Sequence, residues 1–83
     1  MDNQIRELIT KHGGLSVDVA TLGLDADLYD AGLSSFASVQ LMLGLEDRFD
    51  IEFPETMLNR RTFASIASIR AALAQLVDAS EAA

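Results

Sequence analysis

Apolar residues return at intervals of three and four in three separate stretches of this chain. That spacing lines side chains along one face of a helix, whereas a half-buried strand needs strict alternation. The first stretch is residues 2 to 12, where Ile5, Leu8 and Ile9 make the stripe and Arg6, Glu7 and Lys11 lie elsewhere on the wheel. Asp2 or Asn3 is the candidate cap at its start. Gly13 and Gly14 are expected to end it, because glycine accepts the left-handed backbone of a C-terminal cap. The second stretch, 35 to 49, reads SFASVQLMLGLEDRF. The third runs from about 63 to 78, with Phe63, Ile66, Ile69, Leu73, Leu76 and Val77 at core spacing and Thr62 as its expected N-cap.

Between the first two stretches lies a long connection, Leu15 to Ser34, carrying Gly23, Gly32 and the aspartates Asp18, Asp25, Asp27 and Asp30. Loops of such length are uncommon in small domains and usually have a task. Val17, Val19, Leu22, Leu24 and Leu28 are expected to pin it across the helices, with a short helical turn near 16 to 21. After the second helix comes DIEFP. Pro54 disfavours helical geometry at Phe53 and suits the start of a new element. PETMLNR then suggests a short helix of one or two turns. No stretch reads convincingly as a strand. The expectation is an all-α four-helix bundle of three longer helices and one short, with a long first loop. It forms one domain over 1–83, with an ordered core of about 2–78 and a frayed end, DASEAA.

Composition narrows the function. A chain of 83 residues supports one small core. Without cysteine there is no disulfide scaffold, thiolate metal site or cysteine nucleophile, which fits a reducing compartment. Thirteen acids against six bases give a net charge of −7. Such a surface is repelled by nucleic acid and by anionic membranes, and attracts a basic partner face or simply keeps the chain soluble. The N-terminus lacks the basic segment and apolar run of a secretory signal, and no stretch has the length of a membrane span. A cytoplasmic monomer is expected. The loop aspartates lack calcium-loop spacing, so no metal site is expected. His12 is the sole histidine and sits at a helix end. With no clustered acid, base and nucleophile, no catalytic residue is assigned.

The second helix has two apolar sides. At about 100° per residue, Leu41, Met42, Leu45 and Phe49 fall together, while Phe36, Val39 and Leu43 lie towards the opposite side with Gln40 and Asp47. One stripe suffices for packing into a small bundle. The second is either covered by the long loop or presented to partner proteins. Gly32-Leu33-Ser34-Ser35-Phe36 leads into this helix. On its own, a serine there reads as an N-cap. The same position suits a phosphodiester, because the first turn offers unpaired N–H groups and the positive end of the helix dipole.

The run DLYDAGLSSFASVQLMLGLEDRFDIEFPE resembles the core motif of acyl and peptidyl carrier proteins. Asp27-Leu28 and Gly32-Leu33 match the family's approach, and Ser35-Phe36 its modified serine and bulky neighbour. Val39, Leu41, Leu45, Glu46, Phe49, Ile51 and Pro54 match the remainder. The resemblance covers essentially the whole chain. It implies a bundle of the acyl-carrier-protein type and a 4'-phosphopantetheine arm, moved from coenzyme A by a phosphopantetheinyl transferase. Ungapped alignment on Phe49 and Pro54 puts the attachment at Ser35, with Ser34 the neighbouring alternative. The arm's thiol would hold cargo as a thioester, so the chain needs no cysteine. Partner contacts are expected at Phe36, Val39, Gln40, Leu43, Glu46 and Asp47.

The chain departs from fatty-acid carriers at three places. Those usually read Asp-Ser-Leu-Asp-x-x-Glu, whereas Ser34, Ala37 and Gln40 occupy the acid positions here. Their loss removes charges that steer docking to basic enzymes. The Ser-Phe pair, Val-Gln-Leu and Glu-Asp-Arg-Phe-Asp-Ile look closer to discrete carriers of D-alanine and other amino acids. The expected role is to hold an aminoacyl or other small acyl group and present it to a loading ligase and a downstream acceptor enzyme. The alternatives are a fatty-acid or polyketide carrier and, in another class, an unmodified helical interaction module. The pair Arg60-Arg61 is read as a solvated helix end, or as a contact for a partner or the arm's phosphate.

Overall fold

The computed structural model describes residues 2–82, with side chains described as far as Val77. Three α-helices form the bundle: α1 (Asp2–His12), α2 (Ser35–Phe49) and α3 (Ile66–Ala82). Two 3-10 helices, Val19–Thr21 and Glu55–Met57, lie in the connections. No strand occurs among the described residues, and no helix there is long and apolar enough to cross a membrane.

The spacing read along the sequence becomes the core. Ile5 and Ile9 of α1, Leu41 and Leu45 of α2, and Ile66, Ile69 and Leu73 of α3 are fully buried, joined by Leu28 of the long loop. Burying each such side chain contributes about 1.5–3 kcal/mol, large against the narrow net stability of a small domain. Phe53 and Phe63 are buried in the same core, their rings edge to face with centroids 5.4 Å apart.

The long loop is tied down by polar as well as apolar contacts. Val19 and Leu28 are buried, and Leu15, Leu22 and Leu24 pack against the core, but Val17 is exposed instead of pinning the loop. Arg6 Nη1 donates to the Val19 carbonyl at 2.7 Å. The Leu28 N–H donates to the Ala64 carbonyl at 2.7 Å, and the Ala67 N–H to the Leu24 carbonyl at 2.9 Å. This last bond satisfies an amide that the first turn of α3 leaves unpaired. The aspartates stabilise local turns: Asp18 accepts from the Ala20 N–H, and Asp27 from those of Tyr29 and Asp30. The expected turn near 16 to 21 is the 3-10 helix that Asp18 caps.

Several boundaries differ from expectation, each for a local reason. Ser65, not Thr62, caps α3, because Ser65 Oγ accepts from the Ser68 N–H at 3.1 Å. The helix therefore begins at Ile66, and Phe63 enters the core from the preceding turn. It continues to Ala82, past the expected end near 78. The expected fraying of DASEAA lies outside the residues whose side chains are described. The short helix is three residues of 3-10 geometry. Asn59 stops it by donating to the Thr56 carbonyl and accepting from the Thr62 N–H and hydroxyl, an alternative to helical bonding.

Candidate functional site

The site forms where the long loop becomes α2. Gly32 has a φ of 116°, a backbone region closed to most side chains. Leu33 is then buried and anchors the chain, and its N–H donates to the Leu28 carbonyl at 2.9 Å. Ser34 follows in extended geometry as the N-cap, with Oγ accepting from the Ala37 N–H at 3.0 Å. Ser35 is the first residue of the helix proper.

The two serines thus have different work. Of the two serines that could serve as the cap, Ser34 holds that position, since only a residue before the first helical turn can turn its side chain back onto the N–H groups. Ser35 is exposed, and its hydroxyl makes no hydrogen bond among the described residues. Its carbonyl accepts from the Ser38 hydroxyl at 2.7 Å. The amides of Ser35 and Phe36 lack a protein partner among the described residues. No acid lies in the first turn of α2. Unpaired N–H groups and the helix dipole therefore face this point without a competing carboxylate, an environment that favours an anion on Ser35.

Beyond Ser35 the outer side of α2 is apolar and open. Phe36 is 74% exposed, Val39 51% and Leu43 52%. The long loop leaves this side uncovered. Gln40 is half-buried and Asp47 exposed. Glu46 is already engaged: its Oε2 accepts from the Phe53 N–H at 2.9 Å, and its carbonyl accepts from the Ile51 N–H. Those bonds shape the turn after α2, where Asp50 takes a left-handed φ of 52°. Arg48 pairs with Glu7 of α1 at 3.6 Å.

A groove of about 360 Å³ opens beside Ser35. Its lining includes Ser35, Val39 and Met42 from α2, Tyr29 from the loop, and Arg60 and Phe63 from the segment before α3. Arg60 is exposed, and its guanidinium lies over the Tyr29 ring, 4.2 Å from the centroid, a cation–π contact. The pattern of the chain marked Arg60 as half of a basic pair, with no sign of its aromatic neighbour. Nothing in linear order brings it to Tyr29.

The family profile described as a phosphopantetheine attachment site matches residues 3–77. The chain is 55% identical to the aminoacyl carrier protein of Agrobacterium fabrum over the full length of both. It is similar to a chain in the crystal structure of an engineered Bradyrhizobium japonicum glycine:[carrier protein] ligase complexed with carrier protein from Agrobacterium tumefaciens and AMP. There the TM-score is 0.87 and the identity 57%, covering 89% of this chain and 99% of that one. A more distant likeness, 27% identical with a TM-score of 0.73 over 86% of this chain and 95% of the other, is to a chain in the B. japonicum ligase complexed with glycylated carrier protein.

Proposed function

Because this chain belongs to the phosphopantetheine-attachment family of carrier proteins, we propose that Ser35 bears the arm and that the cargo is an amino acid or a comparably small acyl group. The observation that carries the assignment to Ser35 is the division of labour between the two serines. The Ser34 hydroxyl is occupied as a cap, while the adjacent Ser35 hydroxyl is exposed and unengaged at the positive end of α2. In attachment, a bond forms between Ser35 Oγ and phosphorus, and the pyrophosphate link of coenzyme A breaks. The hydroxyl proton passes to a base of the transferase, and the nucleoside bisphosphate departs. Once bound, the arm supplies the thiol that holds the cargo as a thioester.

Support for an aminoacyl cargo comes from likeness and from local chemistry. The relatives include an aminoacyl carrier protein similar over its whole length and chains from structures of a glycine:[carrier protein] ligase. The first turn of α2 has no carboxylate with which to meet a strongly basic enzyme surface. Phe36, Val39 and Leu43 offer instead an apolar face for a loading ligase, flanked by Gln40 and Asp47. Glu46 contributes through the turn it shapes. The same face would meet the phosphopantetheinyl transferase and the downstream acceptor in turn. In this scheme the chain is a monomeric single domain over 1–83, works in the cytoplasm and performs no chemistry of its own.

The test is to offer the arm-bearing protein to a glycine:[carrier protein] ligase with ATP and, in parallel, to a malonyl transferase with malonyl-coenzyme A. The proposal expects an aminoacyl thioester in the first reaction and little product in the second. Efficient malonylation without aminoacylation would assign the chain to fatty-acid or polyketide synthesis.

A further inference from the structure

The open side of α2 has opposite charge at its two ends. Arg60 lines the same groove as Ser35, and no carboxylate lines it. Arg61 follows, and both arginines are exposed. Neither forms an ion pair among the described residues, whereas Arg48 pairs with Glu7, Arg70 with Asp2, and Arg6 donates to the Val19 carbonyl. The turn that carries the two arginines is held in place. The Phe63 N–H donates to the Arg60 carbonyl, the Ala64 N–H to the Arg61 carbonyl, and Asn59 accepts from the Thr62 N–H. The positive end of the α2 dipole adds charge of the same sign. About 18 Å from Ser35, at 1.5 Å per helical residue, Asp47 is exposed and has no ion pair among the described residues, and exposed Asp50 lies just beyond. Between the two ends stand the apolar Phe36, Val39 and Leu43.

We propose that Arg60 and Arg61 are a docking element for carboxylates at the active-site mouth of the loading ligase, and that with Asp47 they fix the direction in which the ligase lies along α2. The inference rests on the reading of the chain as the substrate of such a ligase. The ligase must reach the thiol of an arm rooted at Ser35, so the mouth of its active site comes to the end of α2 where Arg60 and Arg61 stand. A net charge of −7 draws basic surfaces towards the chain from any side. The two arginines repel such a surface at the Ser35 end and accept an acidic one there, while Asp47 takes the opposite charge at the other end. Only one of the two directions along the helix then matches charge at both ends. Charges placed in this way govern register and encounter rate more than final affinity. The apolar residues between them supply adhesion with no preferred direction. With its face against Tyr29, the Arg60 guanidinium keeps N–H edges free to donate to a carboxylate.

The test is steady-state aminoacylation of the arm-bearing protein by a glycine:[carrier protein] ligase with glycine and ATP, at low and at high salt. Reversing both charges, Arg60→Glu with Arg61→Glu, is expected to raise KM for the carrier about tenfold at low salt, the scale of two exposed ion pairs turned repulsive. The value of kcat should stay within about twofold, because neither arginine touches the reacting atoms. The neutral pair Arg60→Gln with Arg61→Gln should fall between, and Asp47→Lys should raise KM roughly two- to fivefold. High salt should bring the variants and the unaltered protein together. A merely structural role for the arginines would lower the melting temperature and leave a difference that salt does not remove. In the unaltered protein, KM should rise with salt, which gives a reading even if a variant folds poorly. A KM indifferent to the double reversal, lowered by it, or changed by the same factor at every salt concentration would overturn the docking element and leave the aminoacyl reading intact. If the unaltered arm-bearing protein takes no glycine from the ligase, the aminoacyl reading fails and this inference falls with it.

Discussion

The two sides of α2 carry similar residues and have opposite fates. Leu41 and Leu45 face inward and are fully buried, while Val39 and Leu43, of the same chemical kind, face outward and are about half exposed. Local propensity does not separate them, since all four sit in one regular helix. The difference lies in what each side meets. The inner side packs against α1 and joins Leu28 and the buried residues of α3 in one core cluster, whereas the long loop leaves the outer one exposed. Apolar area left in water gains nothing for folding. Its concentration beside Ser35 therefore fits a surface that is buried only when another protein arrives.

Substitutions on the two sides should separate stability from function. Leu45→Ala removes buried volume and is expected to lower unfolding free energy by about 2–5 kcal/mol, measured by urea denaturation. A change below that range would mean the inner side is less tightly packed than the burial indicates. Ser34→Ala should cost about 0.5–2 kcal/mol through loss of the cap, with arm attachment retained. Phe36→Ala should leave stability within about 0.5 kcal/mol while weakening ligase binding roughly fivefold or more, as expected of a central interface aromatic. If the melting temperature instead falls as for Leu45→Ala, the outer side belongs to the core and the contrast fails. Ser35→Ala should change stability least, within about 0.5 kcal/mol, since its hydroxyl supports no bond of the fold.

Much of this contrast was legible in the chain. Helical spacing located α1 and α2 to the residue and separated the two sides of α2. The pattern stayed ambiguous where several polar residues compete for one role. Ser34 and Ser35 both suit a helix start, and only the backbone geometry distinguishes the cap from the first helical residue. Thr62 and Ser65 posed the same choice, which the packing of Phe63 and the bond from Ala67 to Leu24 resolved in favour of Ser65. Glu46 looked like a surface acid, because its bond to the Phe53 N–H spans a turn whose path depends on the left-handed Asp50. The stack of Arg60 on Tyr29 is purely tertiary and has no linear signature.

Everything central here depends on the Ser35 hydroxyl being the one that accepts the arm. The most direct measurement is intact mass of the folded protein, of Ser34→Ala and of Ser35→Ala after incubation with a phosphopantetheinyl transferase and coenzyme A. The unaltered protein and Ser34→Ala should each gain the mass of a single arm, and Ser35→Ala should gain none. A mass gain on Ser35→Ala, or none on the folded unaltered protein, would contradict the assignment.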